Sequence, residues 1–349
     1  MAKDIFDFIK TKNMIEYWIN KNVNKKPYLG EALFPSVKEI GVRLDWLKGS
    51  TGLPVVLKLS AWDSKVTKRD REGFEVLSTK MPFFKEAMAV DEELIQKLRE
   101  LTQTNNEARI DNILSKVFDD QVKLIDAAYE RIESMRMQAL TTGTIVVSGN
   151  GAKYTYDFQM PGDNKKTVTT SWSNPDADII KDIDDIKLEM KAKGVTLKYL
   201  IVNSNVVRYF MQNTKIKNAI YVMANGNVDV TSARAISFIA TETGISIIEQ
   251  DNVYANEDGT TTKYFADDIA VFIPEGPLGQ THYGVTPEED KAQSGSSKLD
   301  VAMVNDQVAV TTWETEDPVA TMNKVSMVAL PSFDRANEVV ILDIDTASV

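Results

Sequence analysis

The sequence predicts an α+β protein with parts that project from its body, and three observations carry that prediction. Residues 107–140 hold an apolar stripe at helical spacing, uninterrupted by glycine or proline. Residues 55–88 read as two β-rich arms around a charged tip, and residues 176–273 alternate helical and strand patterns as in a layered domain.

The elements follow in chain order. Ile5, Phe8, Ile9, Ile15, Trp18 and Ile19 are spaced roughly as on a helix, up to the polar run that ends at Pro27. Two readings stand: an arm whose apolar residues need a partner surface, or a first helix on the chain's own core. Residues 37–47 (VKEIGVRLDWL) alternate apolar and polar, the pattern of a half-buried strand. After a break at 49–54 comes the long hairpin, its tip marked by Lys65, Lys68, Arg69, Asp70, Arg71, Glu72 and Gly73. Between Lys48 and Lys85 eight basic residues face four acidic ones, so this segment is +4 in a chain of −11. A basic finger on an acidic body can dock on a neighbouring copy; charges that only protect a sheet edge are the plainer reading.

The helix at 107–140 is about 50 Å long at about 1.5 Å per residue, and Thr141-Thr142-Gly143 ends it. A hairpin turns at Gly149-Asn150-Gly151. Asn174-Pro175-Asp176 opens an amphipathic helix over 177–193. A strand at 198–203, a helix through 206–210 and a helix over 231–242 closed by Gly244 come next. Strands follow at 245–249, 260–266, 269–273, 307–313, 325–330 and 339–344, with 279–299 as a polar connector.

Composition removes several classes of chemistry. The chain has 349 residues, 43% of them hydrophobic, enough for a substantial core. Its net charge of −11 is the wrong sign for a protein that grips nucleic acid, because phosphate contacts need excess Lys and Arg. With no cysteine, disulfides, thiolate metal sites and thiol nucleophiles drop out. The N-terminus lacks the pattern of a cleavable secretion signal, no apolar run reaches membrane-spanning length, and synthesis in a reducing cytoplasm is expected.

Candidate chemistry is thin. His282 is the chain's one histidine and reads as a satisfied structural residue. Asp178, Asp182 and Asp185 share a helix face beside Asp176 and Asp184; a cation is conceivable there, but a solvated acidic face near a helix N-terminus is the ordinary reading. Residues 251–259 lack the spacing of a calcium loop, and Asp258-Gly259 reads as a turn. No catalytic, cofactor or metal residue is assigned.

The order of local strings resembles a known family. The long helix ends in ESMRMQALTTG (133–143) and a short hairpin follows. Then come Ser171-Trp172-Ser173, Asn174-Pro175-Asp176, Phe272-Ile273-Pro274, Gly279-Gln280-Thr281 with Tyr283-Gly284, Asp317-Pro318 and Leu330-Pro331-Ser332. This layout is similar to the lambda gpE-like family of phage major capsid proteins, which have the HK97 capsid fold. The resemblance implies four parts: an N-terminal arm and first strand at 1–47, and an extended β-hairpin loop with its flanks at 48–104. The others are a peripheral domain with the spine helix at 105–172 and 305–349, and an α/β axial domain at 173–304. It further implies self-assembly into pentamers and hexamers of an icosahedral shell, made in the host cytoplasm. The implied partners are a scaffolding protein, a portal protein and, as an optional addition, a decoration protein; packaged DNA is touched only weakly. Lys65, Lys68, Arg69, Arg71 and Trp172 are the expected inter-subunit contacts. Two other classes compete: a tail or adhesion module, which would form fibres or tubes, and a hydrolase built on the Asp176–Asp185 carboxylates.

Overall fold

The computed structural model describes residues 11–22, 26–48, 75–90, 92, 93, 96, 100, 107–149, 151–221, 229–256, 259–294, 300–317 and 319–345. The charged tip expected at 65–73 lies outside them. The chain divides into two compact units, one from residues 1–45, 78–135 and 280–332, the other from 46–77, 136–279 and 333–349.

The first unit is organised by one strand, Val319–Pro331. Along one edge it pairs antiparallel with Val308–Glu316, from Ala309↔Ser326 to Glu316↔Val319. Phe83–Val90 pairs with Thr321 to Val328, an overlapping stretch, and therefore occupies the opposite edge. Asp300–Val304 continues the sheet beyond Val308–Glu316. Thr281–Gly284 joins the far end of the central strand and carries Ser36–Lys38 as a parallel neighbour. The sheet is built from distant pieces of chain, so its order is set by tertiary pairing and not by local turns.

The expected single strand at 37–47 is two strands in two sheets. Ser36–Lys38 pairs with Thr281–Gly284, whereas Arg43–Lys48 pairs with Glu75–Lys80. Between them Gly41 sits at φ +136, a conformation side chains rarely adopt. Across this kink the buried parity switches along with the hydrogen-bonding partner: Ile40 and Val42 are exposed, whereas Leu44 is buried. The base of the long hairpin thus reaches back to Arg43, earlier than its sequence pattern suggests. The connector at 279–299 also holds structure: Thr281–Gly284 is buried throughout, and Pro287–Gln293 is a helix capped by the Thr286 hydroxyl, which accepts from Glu289 N–H.

The long helix is Glu107–Thr142, 36 residues in one run. At its end Thr141 and Thr142 hydroxyls donate to the carbonyls of Met137 and Gln138, and Gly143 at φ +74 turns the chain out. A two-stranded hairpin, Thr144–Gly149 with Ala152–Asp157, follows directly.

The second unit holds a five-stranded sheet, ordered Lys165–Thr167, Val340–Asp343, Ile269–Pro274, Leu197–Val202, Ser246–Glu249. The closing strand, Val340–Asp343, therefore lies here, paired with Ile269–Pro274 and Lys165–Thr167, and not beside Val319–Pro331. Helix Ile179–Ala192 buries Ile179, Ile183, Ile186 and Met190, spaced four, three and four. Asn203 and Asn213 cap the next two helices by accepting from Val206 and Ile216 N–H. Gly244 at φ +69 closes helix Ser232–Thr243. These apolar faces meet the sheet's Leu200, Val202, Ala270, Phe272, Val340 and Leu342 in one core.

The expected strand at 260–266 shortens to Thr261–Lys263, paired with Val253–Ala255 around a turn with Gly259 at φ +80.

Candidate assembly surfaces

The residues singled out for chemistry are engaged separately. Asp178 caps its helix and pairs with Lys215 at 2.6 Å, and the Lys215 hydrogen bond holds its carboxyl below the usual range. Asp185 pairs with Lys181 at 2.5 Å. Asp182 accepts from the Trp172 indole N–H at 2.9 Å, and burial pushes its carboxyl up. Their oxygens do not converge, and among the described residues no group of three or more His, Cys, Asp or Glu is placed to hold a metal. His282 is mostly buried on Thr281–Gly284, Nδ1 2.9 Å from Glu39 Oε1 and Nε2 3.4 Å from Ser332 Oγ. That is the satisfied histidine the sequence suggested.

Of the five expected contact residues, Lys65, Lys68, Arg69 and Arg71 lie outside the described residues. Trp172 departs from its expected role. It is 1% exposed, its ring packs 5.7 Å from that of Phe210, and its backbone N–H donates to Ile344 O. With its surface spent inside its own chain it has nothing to offer a neighbour.

Other surfaces are exposed where a monomer would hide them. The outer edge of Phe83–Val90 has no strand beside it among the described residues. Phe83 and Met88, on opposite faces of that strand, are 41% and 40% exposed. Ile40 stands wholly in solvent, with Val42 two residues on, close to Met81, whose N–H donates to Val42 O. An edge with open backbone groups and apolar residues on both faces is a template for pairing that monomeric proteins normally blunt. None of these residues stands out as a contact in the sequence alone. The signal available was Phe83-Phe84 opening a largely apolar strand whose only charges are Lys85 and Glu86, and Ile40 beside a glycine.

The comparisons decide what such surfaces belong to. The family described as phage major capsid protein E matches residues 10–344. The chain belongs to that family. As a capsid protein it is a structural component of a tailed phage's virion that assembles with its own kind into a shell. It is 15% identical to a prophage protein of E. coli CFT073 assigned as a capsid protein, over 97% of this chain and 99% of that one, with a TM-score of 0.60. The capsid of cyanophage A-1(L) is 11% identical over 91% and 92% of the two chains, with a TM-score of 0.54. A phage-related protein of Bordetella bronchiseptica RB50 is 12% identical over 96% and 97%, at 0.53. No curated protein matches the chain. The capsid protein thus has the HK97-like fold, and the tail or adhesion alternative is not favoured. No helix among the described residues is long and apolar enough to cross a membrane.

Proposed function

We propose that this capsid protein forms pentamers and hexamers that close an icosahedral shell around double-stranded DNA. The observation that carries the reading is the edge of Phe83–Val90 that no strand covers among the described residues, with Phe83 and Met88 exposed on its two faces. Head-to-tail contacts around a ring cover such an edge in every copy at once. The first compact unit supplies the peripheral part, the second the axial part, and the segment after Arg43 the extended loop. The N-terminal residues are the arm. Assembly takes place in the host cytoplasm, with a scaffolding protein, a portal protein and optionally a decoration protein. The role is structural, with no catalytic step. The net charge of −11 suits a wall that touches DNA weakly.

Electron microscopy of the purified protein, alone and with a co-expressed scaffold, is the test. Closed shells are expected; monomers persisting at every salt and protein concentration would refute the reading.

Lys65, Lys68, Arg69 and Arg71 are proposed as contacts to an acidic surface of a neighbouring copy. The triple variant Lys68→Glu, Arg69→Glu, Arg71→Glu is expected to lower shell yield at least tenfold while circular dichroism and the unfolding midpoint stay at parental values. Normal yields from it would exclude these residues from the interface.

A further inference from the structure

The N-terminal helix Thr11–Asn22 lies on the long helix and the large sheet of the first unit, and its polar contacts have one chemistry. Tyr17 OH and Lys21 Nζ both donate to Asp119, at 3.0 and 2.6 Å. The Trp18 indole N–H donates to Asp126 at 3.1 Å. Beyond the helix, Tyr28 OH donates to Glu130 at 2.6 Å, and Gly30 N–H donates to Glu133 at 2.8 Å. At the other end Thr11 N–H donates to Asp300 at 3.1 Å.

Asp119, Asp126, Glu130 and Glu133 are seven, four and three residues apart, so they fall within about 60° of one another around the long helix. They form a rail of carboxylates on one face, and the N-terminal segment supplies a donor to each. An ionised carboxylate accepts strongly and donates nothing; once neutral, it accepts weakly. Rings lie beside the rail as well: Tyr17 stacks on Phe118 at 5.4 Å and Trp18 on Tyr129 at 5.5 Å. Met14 is buried beneath the helix.

We infer that residues 11–22 and 26–30 form a releasable strap, seated on this rail and freed when the rail loses its charge. The apolar contacts place the strap, while the carboxylates hold it. Charged groups beside the rail among the described residues include Lys21 from the strap and Lys123 next to Asp119 on the long helix, and Asp300 from the sheet holds the strap's other end at Thr11. Asp126 and Glu133 flank Glu130, so neighbouring charges on the rail are alike. The strap's Lys12 and Glu16 pair with each other at 3.9 Å.

Release falls on the acid side. The hydrogen bond from Lys21, followed by that from Tyr17, holds the Asp119 carboxyl below its usual range. A depressed carboxyl contributes its stabilisation above the unfolded pKa and loses it as pH falls through the folded one.

Hydrogen exchange read by mass spectrometry on the full chain tests this. At pH 7 the variant Asp119→Asn, Asp126→Asn, Glu130→Gln keeps the shapes and removes three charges; Glu133 is left alone because it is fully buried. Peptides covering 11–22 are expected to exchange at least tenfold faster than in the parent, while those covering 197–202 and 308–316 are unchanged. A strap-side variant, Tyr17→Phe with Lys21→Ala, leaves the long helix intact and is expected to show the same selective loss. In the parent, lowering pH from 7 to below about 3 should free the 11–22 peptides first, after correction for intrinsic rates, because the depressed Asp119 carboxyl stays charged until pH falls below the ordinary aspartate range. Equal protection of 11–22 in parent and both variants, or loss only together with the sheet peptides, would overturn the inference.

Discussion

Gly284→Ala destabilises the chain by about 3 kcal/mol, the upper end of overpacking costs. A Cβ there would lie 2.3 Å from Gly41 O, 2.8 Å from Met81 Cε and 3.0 Å from Val328 Cγ1. The methionine methyl can swing aside. The Gly41 carbonyl cannot easily follow, because Val285 N–H donates to it and Gly41 already sits at φ +136. Val328 belongs to the central strand and is equally fixed. The same crossing holds the base of the extended loop, where Met81 N–H donates to Val42 O. Gly41→Ala provides the contrast: its Cβ meets nothing within 4 Å, so only backbone strain remains, about 1–2 kcal/mol. Urea midpoints at unchanged m-value measure both. Equal midpoints for the two variants would mean that the crossing is loose and space is not what selects glycine at 284.

The parts legible in the sequence are those whose pattern and partner agree. The long helix was readable because its apolar stripe runs without a breaker into Thr141-Thr142-Gly143, and the observed end at Thr142 falls two residues past the expected one. Helix Ile179–Ala192 and strand Leu197–Val202 were readable for the same reason. The kink at Gly41 was not, since alternation on both sides of it gives no sign that the partner strand changes. Thr281–Gly284 was hidden because four residues carry no period, and its burial comes from Ser36–Lys38 and Val319–Pro331, both far along the chain. The rail escaped for another reason. Asp119, Asp126, Glu130 and Glu133 look like a solvated face until the N-terminal donors are placed opposite them.

Trp172→Ala is expected to cost about 3–5 kcal/mol, the range for emptying a buried aromatic site. Its ring fills the space beside Phe210 in the second unit's core, and its indole N–H donates to Asp182 at 2.9 Å. The smaller change Trp172→Phe separates volume from hydrogen bonding. Burial raises the Asp182 carboxyl, and the Trp172 bond opposes that rise by favouring the charged form. A group with a raised folded pKa gives its full stability below the unfolded pKa and loses it as pH climbs through the folded one. Ionised Asp182 is therefore a cost at neutral pH that the indole partly offsets. Removing the indole must then hurt more at pH 7 than at about pH 4, where a neutral carboxyl accepts weakly. In an Asp182→Asn background the charge is gone and an acceptor oxygen stays, so the penalty for Trp172→Phe should no longer depend on pH. Denaturant unfolding of the unassembled chain at the two pH values reads all four combinations. A penalty in the Asp182 background that is the same at both would leave Trp172 as filler, with no part in holding the buried carboxylate.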